Sequence, residues 1–254
     1  MGRIISIANQ KGGVGKTTTA INLSACLAQA GKKVLTIDFD PQANTTSGLG
    51  VDKRSLSATV YDLLMGEKRV DEVVTPTIVD NLSLLPTNVE LAGAEIELVS
   101  LTDREYILKS ILVDMKYNYD YILIDCPPSL NILTVNALTA SDTVLVPIQC
   151  EYFALEGLSQ LMYTIELIKK NLNKRLELEG VVFTMYDSRT NLSAEVVEEV
   201  KVHLEKNVYR SIIPRNVRLS EAPSHGVPIT MYDTKSKGSE AYISLAQEVI
   251  AKAR

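Results

Sequence analysis

Seven residues near the N-terminus have the types and the spacing of a phosphate-binding loop. They lie between an apolar segment and a helical one, and they are Lys11, Gly12, Gly13, Val14, Gly15, Lys16 and Thr17. Glycines let successive backbone N–H groups turn towards phosphate oxygens, and the N-terminus of the next helix adds favourable potential. Lys16 supplies a point charge to the β- and γ-phosphates, and the Thr17 hydroxyl is placed to bind Mg²⁺. The loop therefore predicts a site for ATP with magnesium.

The loop departs from the standard phosphate-loop pattern at two positions. The standard pattern has glycine where this chain has Gln10, and a second lysine, Lys11, opens the motif here. A simple phosphate loop does not need that second lysine. Lys11 therefore indicates a specialised subclass of the motif.

Aspartates follow two further apolar segments. Asp38 and Asp40 come at and just beyond the end of one segment, and Asp125 closes another. After a phosphate-binding loop, an aspartate at a strand end is the usual Walker B acid that holds Mg²⁺, which is the role we predict for Asp125. Asp40 is placed to orient the attacking water. Either aspartate alone would be interpreted as a helix N-cap or a turn residue, and that alternative stays open.

These motifs resemble those of the deviant Walker A ATPases, and most closely the ParA/Soj family of chromosome-partitioning proteins. The resemblance covers essentially the whole chain. The segments that carry it are 11–17, 38–42, 125–129, 149–152, 154–157, 213–217 and 220–224. One departure is Ala43, where the family often has glycine, and it slightly changes the freedom of the loop.

The resemblance implies an ATPase that works as a homodimer with ATP sandwiched at the interface. Lys11 would reach the partner subunit's nucleotide, Lys16 would act on the chain's own, and Asp40 would position the water for slow hydrolysis. Thr17 and Asp125 would hold the metal. The implied ATP-binding residues are Lys11, Gly12, Gly13, Val14, Gly15, Lys16, Thr17 and Thr18, with Pro214 and Asn216 beside the adenine.

The resemblance also implies partners. The ATP dimer would bind double-stranded DNA without reading its sequence, and a ParB/Spo0J-type centromere protein would trigger hydrolysis and release. We expect Arg189 and Arg218 to contact DNA, while Arg215 is a candidate for either the DNA or the adenine loop. The resemblance therefore implies a cytoplasmic protein that associates with the nucleoid. Because the chain starts directly with the first strand, specific operator binding through an added helix-turn-helix is not expected.

Three rival functions share this kind of loop. A MinD-like positioning ATPase would bind membrane through a basic amphipathic C-terminal helix, but the C-terminal segment supplies cations only at Lys252 and Arg254. A reductase with an iron–sulfur cluster bridging a dimer would need two suitably placed thiolates, and no second cysteine is near Cys126 in the sequence. A small carboxylase-like synthetase is a second example of a metabolic enzyme with this fold, beside the reductase. A bacterial tyrosine kinase would usually carry a tyrosine-rich tail.

The elements that must position these residues alternate along the chain. Short apolar segments typical of buried parallel strands are Ile4–Ile7, Val34–Ile37, Tyr121–Ile124, Thr143–Val146 and Gly180–Phe183. Amphipathic helical stretches separate them. This alternation predicts a doubly wound α/β fold, with a mostly parallel sheet, helices on both faces and the ligand site beyond the carboxyl ends of the strands. We predict an antiparallel pair at a sheet edge over Thr77–Pro86.

Length and composition set the broad class. The 254 residues, of which 46% are hydrophobic, suit one ATPase domain spanning residues 1–254. Uninterrupted apolar runs of 18 residues do not occur. The three cysteines, Cys26, Cys126 and Cys150, are widely spaced, which predicts buried free thiols. The net charge of −5 argues against a general nucleic-acid coat, yet residues 160–254, with 14 basic and 12 acidic residues, carry +2.

Overall fold

A single mixed sheet organises the chain. The computed structural model describes residues 1–152, 154–204 and 207–252. The strands within those residues are β1 (Arg3–Ile7), β2 (Val34–Asp38), β3 (Thr75–Pro76), β4 (Leu82–Leu85), β5 (Tyr121–Asp125), β6 (Thr143–Gln149), β7 (Glu177–Tyr186) and β8 (Val208–Pro214). Their order is β3-β4-β2-β5-β1-β6-β7-β8, and every neighbouring pair is parallel except β3 and β4. The predicted α/β fold with a mostly parallel sheet is confirmed.

Helices connect the strands and cover both faces of the sheet. The helices are α1 (Lys16–Gln29), α2 (Asn44–Gly48), α3 (Val60–Met65), α4 (Val70–Val73), α5 (Leu91–Glu97), α6 (Ile107–Leu112), α7 (Ile132–Ala140), α8 (Ala154–Asn171), α9 (Asn191–Leu204), α10 (Val217–Glu221), α11 (Ile229–Tyr232) and α12 (Lys237–Lys252). Short 3₁₀ turns extend several of them, including Leu98–Ser100 after α5.

Two hydrophobic cores lie on opposite faces of the sheet. Successive strand residues point to opposite faces, and Ile4 of β1 belongs to one core while its neighbour Ile5 belongs to the other. The first core contains side chains of α3, α5, α6, α7, α8 and α9, and the second contains those of α1 and α12. Because both faces are covered, the central strands are mostly apolar rather than alternating, with Ser6 and Thr36 buried among the apolar residues.

The predicted antiparallel pair exists, but its first strand is shorter and earlier than expected. The strand is β3, only two residues long, and it ends at Pro76, before the predicted Thr77. Thr77 instead forms the turn, since its hydroxyl donates to the carbonyl oxygen of Leu82 at 2.9 Å. A proline without an N–H suits an edge strand. The Thr77 N–H still donates to the carbonyl oxygen of Leu82, at 3.3 Å.

Candidate functional site

The phosphate-binding loop leaves β1 at the carboxyl edge of the sheet and enters α1. Gly13 and Gly15 have φ angles of 75° and 88°, a left-handed backbone that side chains rarely adopt. A Cβ atom added to Gly13 would meet nothing within 4 Å, so open space lies above the loop. The loop therefore has the shape of a phosphate cradle.

The start of α1 leaves its first N–H groups free for an anion. No side chain caps this helix at Gly15, and Thr19 makes the first backward backbone bond, to the carbonyl oxygen of Gly15 at 2.9 Å. The Lys16 ammonium lies over the loop, donating to the carbonyl oxygen of Lys11 at 3.2 Å. Burial lowers the pKa of Lys16, while Asp125 and Asp40 oppose that effect. Unpaired N–H groups and a buried cation both favour a bound phosphate.

Side chains from neighbouring strands hold the loop in place. Asn9 donates through its side chain to the carbonyl oxygen of Pro147 at 2.8 Å and accepts from the Lys11 N–H at 3.0 Å. The Thr184 hydroxyl donates to the carbonyl oxygen of Val14 at 2.8 Å. These contacts tie the loop to β6 and β7. The loop is thus fixed before any ligand binds.

Asp38 and Asp125 lie directly opposite each other at the ends of β2 and β5. Both are completely buried. Burial and, to a lesser extent, the negative charge of Asp125 raise the pKa of Asp38 to about 7. Burial also raises the pKa of Asp125 to about 6. Such shifts occur where a fold concentrates acidic groups for a cation or for chemistry.

Two consecutive threonines of α2 bind these carboxylates. The Thr45 hydroxyl donates to Asp125 Oδ2 at 2.7 Å. Thr46 donates to Asp38 Oδ2 through both its N–H and its hydroxyl, at 2.7 and 2.6 Å. The short helix α2 therefore links the end of β2 to the end of β5.

The metal-binding residues predicted from the sequence fit Mg²⁺. Asp125 Oδ1 is buried and has no hydrogen-bond partner among the described residues. The Thr17 side chain lies close enough to this carboxylate to lower its pKa. A hydroxyl and an unsatisfied carboxylate oxygen are the hard ligands that Mg²⁺ prefers. Asp40 is half-buried, and its negative charge raises the pKa values of both Asp125 and Lys16. Asp40 therefore lies beside the predicted phosphate and metal site.

Lys11 points away from its own phosphate loop. Its ammonium contacts Glu151 Oε2 at 2.6 Å, just beyond β6. The two side chains are 38% and 45% exposed, and such half-exposed pairs contribute at most about 1 kcal/mol. Lys11 is therefore held only weakly within its own chain.

A cavity of about 460 Å³ adjoins the phosphate loop. Gly15 and Thr18 line it on the loop side, and Pro214 and Asn216 line it at the end of β8. The structure thus brings the residues predicted to lie beside the adenine next to the predicted phosphate site. The Asn216 side chain also caps α10, accepting from the Arg218 N–H at 2.9 Å.

Comparison with known proteins agrees with this geometry. A family profile described as an AAA domain matches residues 2–178. The chain is 59% identical over 251 residues to the sporulation initiation inhibitor protein Soj of Bacillus subtilis, covering 99% of both chains. It is 54% identical over 254 residues to the chromosome partitioning protein ParA of Caulobacter vibrioides, covering 99% of this chain and 95% of the relative. The chain belongs to the ParA/Soj family. It is therefore an ATPase of chromosome partitioning, and ATP and Mg²⁺, which fit the site, are its cofactors.

Solved structures similar to this ParA/Soj chain include members of the rival classes. Cobyrinic acid a,c-diamide synthase from Mycobacterium smegmatis with bound ADP and magnesium is 38% identical, with a TM-score of 0.88, covering 100% of this chain and 96% of its own. The cell division ATPase MinD of Pyrococcus furiosus is 32% identical, with a TM-score of 0.83 over both full chains. These classes share the fold, but their identities are lower than those of the ParA and Soj relatives.

The remaining predicted residues lie around this site. Arg189 follows β7 and is exposed, and its guanidinium donates to both carboxylate oxygens of Asp187 at 2.8 and 2.7 Å. Arg218 on α10 is also exposed and donates to Glu221 at 2.8 Å. Both residues come after the carboxyl ends of neighbouring strands, as the phosphate loop does. DNA contact by these arginines stays a prediction.

Cysteines and the C-terminal helix behave as the sequence predicts. Cys26, Cys126 and Cys150 are free and buried. Burial raises the pKa of the Cys126 thiol to about 12, which opposes metal binding as a thiolate. In α12, Tyr242 and Leu245 pack into the core, and Arg254 lies outside the described residues. Within the part of the chain that the structure describes, no helix is long and apolar enough to span a membrane.

Several site residues were missed by the sequence analysis. Asp38 was recognised as an aspartate at a strand end but was given no role, and Thr45 and Thr46 of α2 were not considered. Thr184 and Met185 gave no signal at all. Met185 lines the cavity with a left-handed φ of 50°, and Thr184 orders the loop. Backbone strain at a methionine is not encoded in any recognisable residue pattern.

Proposed function

We propose that this chain is a switch that dimerises on ATP, binds DNA non-specifically as the ATP dimer, and releases it after hydrolysis stimulated by a ParB/Spo0J-type partner. Nucleoid association follows from DNA binding. The observation that carries the proposal is the position of Lys11. Its ammonium lies outside its own phosphate cradle, paired weakly with Glu151, whereas Lys16 already occupies that cradle.

Each residue then has one task. Lys16 and the N–H groups of α1 bind the phosphates, and Lys11 exchanges Glu151 for the nucleotide of the partner subunit. Asp40 orients the water. When bound by Thr17 and Asp125, Mg²⁺ neutralises charge on the β- and γ-phosphates. Slow turnover suits a switch, because the lifetime of the ATP dimer sets the lifetime of the DNA complex.

A membrane-bound positioning role is not favoured by the C-terminal helix. The Lys252 ammonium donates to the carbonyl oxygen of Glu179 at 3.1 Å and lies 3.9 Å from the centre of the Tyr209 ring. The apolar face of α12 is buried. Both the cation and the apolar side chains are therefore engaged within the fold rather than presented to lipid.

Light scattering on the Lys11→Ala variant tests the proposal. We expect this variant to bind ATP yet remain a monomer and fail to hydrolyse, while the wild-type chain becomes a dimer with ATP. Lys170→Ala, which removes an exposed lysine at the end of α8, is the matched control and should dimerise normally. A normal ATP dimer of Lys11→Ala would refute the role across subunits.

A further inference from the structure

Strand β7 carries one extra residue where it ends beside the nucleotide cavity. Phe183 pairs with Ile212 of β8, and Tyr186 pairs with Pro214. Between these two pairs β7 therefore advances by three residues while β8 advances by two. The surplus residue makes a β-bulge, a feature that re-aims side chains and is common next to active sites.

The bulge brings two successive side chains to the cavity. In a regular strand, neighbouring residues point to opposite faces of the sheet. Here Thr184 and Met185 both line the cavity of about 460 Å³. The Thr184 hydroxyl is engaged with the phosphate loop, donating to the carbonyl oxygen of Val14 at 2.8 Å. Met185 is half-buried and supplies an apolar side chain to the same space.

The backbone at Met185 has a conformation that methionine rarely adopts, with a φ of 50°. The other non-glycine residues with positive φ, among those that the structure describes, are Ala43, Asn81 and Asp103. Asparagine and aspartate tolerate this region because their short polar side chains bond locally. The two less tolerant residues, Ala43 and Met185, both lie beside the nucleotide site. Backbone strain of this kind persists where the surroundings impose it, and it clusters at ligand sites.

Both neighbours of Met185 are anchored. Thr184 holds the phosphate loop, as described above. On the other side, the carbonyl oxygen of Tyr186 accepts from the Arg215 N–H at 3.0 Å, within the segment predicted to lie beside the adenine. The bulge therefore joins the phosphate loop to the base segment, and Met185 is held between them.

The cavity wall at Met185 suits a large aromatic ring. Buried Ile213 and Leu219 line the same cavity, so its surface is partly apolar. A methionine thioether is flexible and polarisable, and it packs favourably against aromatic rings. A purine has two fused rings and a pyrimidine has one. Because the gain from apolar contact grows with the area removed from water, such a wall favours the purine.

We infer that Met185 is a specificity-determining residue that selects a purine over a pyrimidine base, and that the left-handed bulge serves to hold it against that base. The inference goes beyond the proposed function, because it concerns one nucleotide bound to one subunit. It needs neither the dimer nor DNA.

Titration calorimetry with ADP, CDP and pyrophosphate, each with Mg²⁺, tests the selection. ADP is used because the proposed function makes dimerisation depend on ATP, so a failure of that proposal leaves this test intact. Met185→Ala should weaken ADP binding about tenfold and leave pyrophosphate binding unchanged. The preference for ADP over CDP should fall by a similar factor.

Three further variants sharpen the comparison. Met185→Leu conserves the apolar volume and should keep the preference for ADP. Met185→Gln keeps the length but not the apolar end, and it should lose the preference. Met231→Ala removes a methionine of α11 that is 47% exposed, and it should bind all three ligands like the wild type. Equal losses for ADP and pyrophosphate in Met185→Ala would make Met185 a support of the phosphate loop and overturn the inference. Equal losses for ADP and CDP, or no loss for ADP, would overturn it as well.

Urea unfolding of the nucleotide-free protein tests the bulge itself. A left-handed backbone penalises alanine but not glycine, so Met185→Gly should have a higher unfolding midpoint than Met185→Ala. Leu178 is the matched position, since it is half-buried in the same strand without a positive φ. There the glycine variant should have the lower midpoint. A lower midpoint for Met185→Gly than for Met185→Ala would overturn the role given to the bulge.

Discussion

Lys16 and Asp40 occupy the same site but have different environments, which predicts different failures. Lys16 is buried in the phosphate cradle, whereas Asp40 is half-buried at its rim. Lys16→Ala should therefore abolish ATP binding, and Asp40→Ala should bind ATP normally and stop turnover. Equilibrium binding of a fluorescent ATP analogue and phosphate release measure the two steps. Equal loss of affinity in both variants would remove the role given to Asp40.

The paired carboxylates predict a pH dependence of stability. Asp38 and Asp125 have pKa values raised to about 7 and about 6, above the roughly 3.9 of an aspartate in an unfolded chain. The folded state therefore binds these protons more tightly. The resulting stability is fully present below about pH 4 and is lost as the pH rises through about 6 and 7.

Thermal unfolding of the nucleotide-free protein from pH 5 to pH 8 measures this loss. We expect the unfolding midpoint to fall as the pH rises, and Asp38→Asn to flatten the curve near pH 7. Asp80→Asn, at an exposed aspartate, is the control and should follow the wild-type curve. A midpoint that rises with pH over this window would show that the carboxylates are not held in the way described.

At the residue scale the sequence predicted the chemistry better than the supporting contacts. Lys16, Thr17 and Asp125 form recognisable motifs because phosphate and Mg²⁺ demand particular side chains. Asp38 lies opposite Asp125 only because β2 and β5 pair in that register. No pattern within either segment specifies this pairing.

Among the elements, β7 and α12 are joined by a buried charge network at the far end from the nucleotide site. Glu179 accepts from the Thr143 and Tyr209 hydroxyls, each at 2.7 Å, and pairs with Arg3. The Lys252 ammonium donates to its backbone oxygen. Glu179 therefore connects β1, β6, β7, β8 and α12.

Removal of this carboxylate should be costly. Glu179→Ala leaves Arg3 without its partner, and the loss of one member of a buried ion pair costs about 3–5 kcal/mol. Because Arg3 is partly exposed, we expect the low end of that range in urea unfolding. Glu166→Ala on the exposed face of α8 should change the unfolding free energy by less than about 0.5 kcal/mol. Similar effects of the two substitutions would contradict a stabilising network.

The sequence predicted the strands that are buried along their whole length. It misplaced the short strand at the edge of the sheet. The five apolar strands were recognisable because strands covered on both faces are continuous apolar runs. The edge strand β3 was misplaced, since two residues ending in Pro76 carry no periodic pattern. The contact of α5 with the segment after β5 includes a hydrogen bond between Glu95 and Asn131, which lie 36 residues apart, and no local pattern predicts it.

At the scale of the whole molecule, the account depends on coupling between the nucleotide site and a DNA-binding surface. Arg189 and Arg218 follow β7 and β8 at the same edge of the sheet as the phosphate loop. Each is paired with an acidic residue of its own chain, so these two arginines alone give a monomer a weak hold on DNA. A two-fold dimer doubles the number of phosphate contacts in one rigid array.

DNA retention measured with ATP, with ADP and without nucleotide tests this coupling most directly. The account predicts strong, sequence-independent retention with ATP alone, falling steeply with salt with a log–log slope of about 0.9 per phosphate contact. Replacing both Arg189 and Arg218 by alanine should abolish retention while the ATP dimer persists. The control replaces Lys174 and Arg175, exposed in the turn before β7, and should retain DNA. Equal retention with ADP, or full retention by the Arg189 and Arg218 double variant, would contradict the account.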